Sequence, residues 1–425
     1  MMKTFTLSLG LLSGLVALSL AQDTTTPDLA SASADDKATI AQLTDVAPAT
    51  VGDLNITNIV VTTVLSGIDF SSLGGDTATT AFEGMAQMAD TSTTNATTDT
   101  GTSRKRAVAN SGSIDVHAHA VFPWYGLLVP KTGGETTPQW SVESHLQFMA
   151  SENISHTILS PSAPGANVFL GSQAATIALA RLLNINLAVL SAFYPDKFSW
   201  YAVVPLPYTT AAIVEATFAL DTLGATGLIL YSNYEGLYLG DPVLAPFFTY
   251  LQSHSKKTVV FVHPTEPVLR QNNGTTFVDC NPTSYPSGIA ESYFEMARTL
   301  QDMSWTLGVV NYTQITYVIS NLGGGFTGIM DRMLKTIITS DPLLEPVYRT
   351  RFYWDSAGPT YPNQIQGVLG YGIPTSQFVF GTDYPFSTPA EASSNLQGIT
   401  TDTNSQIVPA IPAILRSNAA GVFSF

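Results

Sequence analysis

The chain of 425 residues has one cysteine, Cys280, and only six histidines. A single thiol excludes an intrachain disulfide framework, so stability has to come from the core, from glycans and from any bound metal. Charge is scarce as well. Only 12% of residues are charged, and 17 Lys and Arg stand against 32 Asp and Glu, for a formal net charge of −15. That balance excludes nucleic acid and anionic membrane as partners. It also requires any carboxylate-binding site to supply its own local positive charge. After the N-terminus no second apolar stretch of ~20 residues is expected, so no membrane contact should remain once a leader is removed. What is plentiful is apolar material, at 45% of residues, enough for a sizeable core.

The N-terminus reads as a leader. Lys3 precedes the apolar run "FTLSLGLLSGLVALSLA", with Ser19 and Ala21 placed for cleavage before Gln22, which gives a signal peptide over 1–21. A membrane anchor is the competing reading, but Ser8, Gly10, Ser13, Gly14 and Ser19 interrupt the run. N-x-S/T sequons at Asn55, Asn95, Asn153, Asn273 and Asn311 agree with a secreted glycoprotein. Residues 22–106 form a Ser/Thr/Ala-rich, low-complexity pro-region that ends in Arg104-Lys105-Arg106. This basic cluster resembles a kexin-type processing site; a solvated linker cluster is the plainer alternative. Cleavage after Arg106 leaves 425 − 106 = 319 residues, 107–425, the usual size of a (β/α)8 barrel.

From 113 onward, short β-rich runs alternate with helix-like segments. The candidate strands are 113–119, 156–161, 201–207, 226–232, 258–264, 315–321, 352–357 and 377–383. Each is a nearly continuous apolar run ending in a polar residue or a turn, as parallel strands buried on both faces read. "SQAATIALARLLN" and "TAAIVEATFALDTLG" between them have helical periodicity. Eight such units predict an α/β fold, a (β/α)8 TIM barrel. A doubly wound open sheet is the alternative. It would usually carry a glycine-rich phosphate loop after the first strand, where this chain has "HAHAVFP".

The strand ends carry the chemistry. The first ends in His117-Ala118-His119, whose i, i+2 spacing aims both imidazoles into one pocket. The fifth ends in His263 and the eighth in Asp383. One such histidine is more often a core residue, but three with a carboxylate make a mixed N/O site for one divalent metal, zinc first and manganese next. His145, His156 and His254 fall in helix-like or strand-start segments and read as structural.

"IDVHAHAVFPWY", "VVFVHPT", "SNLGGGF" and "FGTDYPF" resemble the amidohydrolase-related superfamily, in its branch of non-oxidative decarboxylases. That branch includes aminocarboxymuconate-semialdehyde, γ-resorcylate and fungal 6-methylsalicylate decarboxylases; the likeness to the last covers most of 113–425. The resemblance implies that His117, His119, His263 and Asp383 bind one divalent metal. It further implies that Asp383 is the proton donor to the ring of a small aromatic hydroxy acid of salicylate type, and that a homodimer is open by analogy. The family places a further histidine at the end of strand 6, where this chain has Asn321. An amide cannot serve as the base that activates water, a loss of ~10²–10⁴ in rate for a hydrolase. It can still orient a substrate oxygen. The substitution therefore counts more against a metal-dependent hydrolase of a lactone or amide than against a decarboxylase, and it leaves a catalytically silent metal binder as a third reading. Phe122 and Trp124, with Tyr125, could stack on a substrate ring or cap the barrel mouth. Arg298 could meet a substrate carboxylate or be a structural ion-pair partner. Asp355 reads as a partner behind the ligands or a strand-end cap, and Gly323 to Gly325 as a tight turn or a close backbone approach.

Overall fold

The structure, a computed structural model, describes residues 111–425 other than 275, 282–283 and 337–340. The leader, the pro-region, the Arg106 site, Asn55 and Asn95 lie outside the described residues. The barrel strands are β1 (Ser113–Ala120), β2 (Ile154–Pro161), β3 (Phe198–Val203), β4 (Gly227–Tyr231), β5 (Thr258–His263), β6 (Ile315–Ile319), β7 (Phe352–Asp355) and β8 (Phe378–Val379). They pair in chain order, all in parallel, in one eight-stranded sheet. The segment after β8 closes the ring on β1. Val116 N–H donates to Phe380 O (2.9 Å), Asp383 N–H to His117 O (2.8 Å) and His119 N–H to Tyr384 O (2.7 Å).

A helix follows each strand: α1 (Val142–Ser151), α2 (Gln173–Phe193), α3 (Thr209–Thr217), α4 (Ala245–Ser253), α5 (Ser287–Trp305), α6 (Asp341–Thr350), α7 (Gln364–Gly370) and α8 (Pro389–Thr400). The expected (β/α)8 architecture is therefore the one observed. Local chemistry fixes several starts. Ser141 and Ser144 form a reciprocal capping box at α1, and Thr388 with Glu391 forms another at α8, each replacing orphan backbone partners.

Several expectations need correction, among them the eighth strand, placed at 377–383 and observed only over Phe378–Val379. The third strand was placed at 201–207 but runs from Phe198 to Val203. Asn184 of α2 takes over there, its Nδ2 donating to Val203 O and its Oδ1 accepting from Val203 N–H. A second long apolar run also exists, since α2 is long and apolar enough to cross a membrane by length and composition. Here α2 is a core helix whose Arg181 pairs with Glu215 of α3 at 2.8 Å. Its continuous apolarity reflects packing on a sheet that is itself fully buried.

Candidate metal centre

His117 and His119 come from the C-terminal half of β1, where all eight residues are buried. Between Asp115 and Ala118 the pairing with β2 slips by one residue, a bulge of the kind that re-aims side chains next to functional sites. His263 ends β5, two residues beyond Phe261, whose ring lies 4.9 Å from that of His117 and forms the floor. Asp383 is delivered from beyond β8 in a left-handed conformation, φ 61°. That conformation is uncommon outside glycine, and Asp is among the residues that tolerate it. One ligand atom from each of His117, His119, His263 and Asp383 falls within a set no more than 4.8 Å across. The four residues singled out in the sequence are thus brought together.

Each imidazole is oriented through Nδ1. His117 Nδ1 lies 2.9 Å from Asp355 Oδ2. His119 Nδ1 lies 3.0 Å from Ser160 Oγ and 3.3 Å from Pro161 O, and His263 Nδ1 lies 2.7 Å from Pro264 O. The carbonyls and the carboxylate assign the proton to Nδ1, which leaves each Nε2 lone pair for the centre, as metal-ligating histidines require. His117 Nε2 is 3.3 Å from Asp383 Oδ1 but not in hydrogen-bonding geometry, so it is a buried polar atom without a partner. His119 Nε2 is 3.1 Å from the same oxygen.

The electrostatics ask for a cation. Burial works against a proton on His117, yet the carboxylates of Asp355 and Asp383 outweigh it and raise its pKa to about 10. Burial alone would raise Asp383, but the adjacent imidazoles of His117 and His119, the latter in hydrogen-bond contact, hold it well below the usual carboxylate range. His263 is pushed far down, first by burial and then by the neighbouring histidines. Three imidazole nitrogens and a carboxylate at this spacing fit a divalent metal, and a cation there would take the place of the His117 proton.

Asn321 follows β6 rather than ending it, since the strand stops at Ile319. Four successive residues have positive φ: Asn321 (53°), Leu322 (49°), Gly323 (78°) and Gly324 (55°). Asn accepts this backbone better than most side chains, which gives a conformational reason for its presence. Its N–H donates to Asp355 Oδ1 (2.9 Å) and its Nδ2 to Ala357 O (3.1 Å). Ala357 N–H reaches the same Asp355 oxygen at 3.0 Å. Asp355 therefore ties the ends of β1, β6 and β7 together. The glycines serve both expected purposes. A Cβ on Gly324 would meet the Tyr293 backbone of α5 at 2.7 Å, so the turn is tight and the helix approaches closely.

The softer candidates are placed as follows. Phe122 and Trp124 are buried and stack on each other at 6.2 Å with an interplanar angle of 3°, and Phe122 meets Trp140 edge-on. Arg298 is 49% exposed and donates to Glu295 Oε1 at 2.6 Å. Buried Glu295 also accepts from Tyr238 (2.9 Å), so the ion-pair reading describes Arg298. Sequence reasoning passed over Asp115 and Phe386. Asp115 accepts from Thr382 Oγ1 (2.6 Å) and Thr382 N–H (3.1 Å), anchoring the residue before Asp383 to β1. Its one signal was a carboxylate inside an apolar strand. Phe386 sits edge-on to His119 at 5.3 Å, and "TDYPF" offered no more than an aromatic near a ligand.

A parallel barrel with three histidines and a carboxylate gathered at its mouth is the arrangement of a barrel enzyme with a site fitted to a divalent metal. No protein-family model matches the chain. It is 35% identical over 293 residues to the decarboxylase yanB of Aspergillus niger, covering 64% of this chain and 77% of that protein. It is 28% identical over 286 residues to a 6-methylsalicylic acid decarboxylase of Penicillium expansum, covering 64% and 84%. Among solved structures, an amidohydrolase II superposes with a TM-score of 0.65 at 26% identity, over 74% of this chain and all of that one. A dihydroxybenzoic acid decarboxylase from Polaromonas, solved with manganese and 2-nitroresorcinol, shares the fold, with a TM-score of 0.54 at 18% identity over 74% and 97%. The chain belongs to the decarboxylases of the amidohydrolase-related superfamily.

Proposed function

We propose that this barrel removes carbon dioxide from a small aromatic acid bearing an ortho hydroxyl, of salicylate type. The observation that carries the reading is the cluster itself. Three Nε2 atoms and one carboxylate converge, and no titratable base stands at Asn321. The relatives named for 6-methylsalicylic and dihydroxybenzoic acids support the substrate class.

A divalent cation held by His117, His119, His263 and Asp383 would supply positive charge to anchor the substrate's ortho oxygen, where charge builds up as the carbon–carbon bond breaks. The cleaved carbon–carbon bond leaves its electron pair on the ring carbon, and one proton must replace the departing carbon dioxide. Asp383 is the only one of the four ligand candidates with a substantially open edge, 27% exposed, and it lies against both His117 and His119. It can take a proton from solvent and pass it to the ring carbon. Phe386 offers the ring a face beside His119. Hydrolysis would need a base on water, and the Asn321 amide, already donating to Ala357, offers none. The donor set favours zinc, with manganese the alternative supported by the Polaromonas neighbour.

The test is metal analysis of the full chain as produced, followed by carbon dioxide release from salicylate, 6-methylsalicylate and 2,6-dihydroxybenzoate. Stoichiometric zinc or manganese with release from at least one acid is expected. A metal-loaded protein that releases none would overturn the activity. Secretion with processing after Arg106 belongs to the same proposal, supported by the exposed sequon residues Asn153 and Asn311. A mature N-terminus at Ala107 in culture medium is expected; retention of residues 22–106 would refute the processing.

A further inference from the structure

Arg298 and Tyr293 both lie on α5, five residues apart. At 100° per residue that separation turns them about 140° away from each other, so they cannot share one face of the helix. Arg298 takes the side of Glu295 and Tyr238. Tyr293 takes the side of the barrel mouth. Its backbone is pressed on Gly324, and its hydroxyl oxygen lies 2.9 Å from the point where a Cβ on Gly358 would stand. Asn321 Nδ2 lies 3.4 Å from that same point. The Tyr293 phenol is partly buried, and burial, with smaller contributions from Asp383 and Asp355, raises its pKa to about 12. It is a neutral donor at any ordinary pH. Nothing bulkier than glycine at 358 leaves this corner open, and φ +77° there makes any other residue costly.

We propose that Tyr293 is a substrate-contacting residue whose hydroxyl, beside the second amide hydrogen of Asn321, donates to the carboxylate that departs as carbon dioxide. This rests on the decarboxylase reading and deepens it. The chemistry favours neutral donors at this position. A decarboxylating acid loses its negative charge from the carboxyl group as the bond breaks, so a cation there would stabilise the ground state more than the transition state. A phenol and an amide orient the group while binding its charge weakly. The pair also restores a two-donor wall where the family places a histidine.

The experiment compares Tyr293→Phe with wild type in the manganese-loaded full chain, using two unreactive probes. 2-Nitroresorcinol carries a pair of oxygens where the acid has its carboxylate; resorcinol has none. Tyr293→Phe keeps the ring and leaves the helix backbone against Gly324, and its melting temperature should match wild type. The expected result is about fivefold weaker binding of 2-nitroresorcinol with resorcinol unchanged, the scale of one lost hydrogen bond. Unchanged binding of both probes, or an equal loss for both, overturns the proposal and leaves Tyr293 a packing residue. If wild type binds neither probe and releases carbon dioxide from no acid, the decarboxylase reading falls and takes this one with it.

Discussion

Asp355→Asn tests whether the centre depends on a histidine held in one tautomer. In wild type, Asp355 Oδ2 faces His117 Nδ1 at 2.9 Å, while Oδ1 accepts from Asn321 N–H and Ala357 N–H at 2.9 and 3.0 Å. Asparagine can keep an oxygen for the two backbone donors, so the turn should survive. Its NH₂ then faces His117 Nδ1, which must become an acceptor. The imidazole proton moves to Nε2, the atom aimed at the centre, and that nitrogen can no longer ligate. Loss of such a partner behind a ligand typically costs 10–100-fold in metal affinity, about 1.4–2.7 kcal/mol. The assay is a chelator-competed zinc or manganese titration, paired with the metal-dependent rise in melting temperature, which should shrink by the same free energy. A second readout is proton release. His117, raised to about 10 despite burial because of Asp355 and Asp383, should give up a proton when metal binds at pH 8, and less in the variant. Wild-type affinity and proton release in a folded Asp355→Asn protein would refute the tautomer argument.

His145 sets an acid limit. Burial, with a smaller contribution from His119, lowers its pKa from 6.5 to about 3, and its Nδ1 accepts from Trp140 Nε1 at 3.0 Å. The unfolded chain binds a proton that the folded one refuses, so this stability is complete above pH 6.5 and is lost as pH falls toward 3, on the order of 4–5 kcal/mol in all. His145→Asn keeps an acceptor for Trp140 and should flatten that slope in denaturation at pH 7 and pH 5; an unchanged slope would exclude His145 as its source. Arg298→Ala should lower stability by about 1 kcal/mol, because buried Glu295 loses a charged partner that is itself half in water, with KM unchanged. A large rise in KM without loss of stability would return Arg298 to the substrate.

The four candidate ligands were legible because each stands at or just beyond the end of an apolar run, and a parallel barrel gathers strand ends at one mouth. What escaped was set by tertiary approach. Tyr293 sits mid-helix, and only the packing of α5 on Gly324 brings it to the mouth. The β1 bulge around His117 and the left-handed Asp383 have no local sequence signature, since neighbouring strands impose both. Arg298 was drawn toward the pocket by the resemblance, which puts an arginine on this helix, but its side chain pairs with Glu295 instead. The sixth strand was expected to reach Asn321. The backbone leaves strand geometry after Ile319 because Asp355 captures the Asn321 amide, a contact between residues 34 positions apart.

The glycine turn beneath α5 also limits how this enzyme can change. Positions 323, 324 and 358 combine positive φ with a neighbouring atom where any Cβ would fall, so one side of the pocket cannot acquire new side chains. Variation in which acid is accepted has to enter through side chains that reach past this wall, at residue 293 on the helix packed against it and at residue 386 in the loop after β8. Those two positions are where redesign of substrate preference would begin.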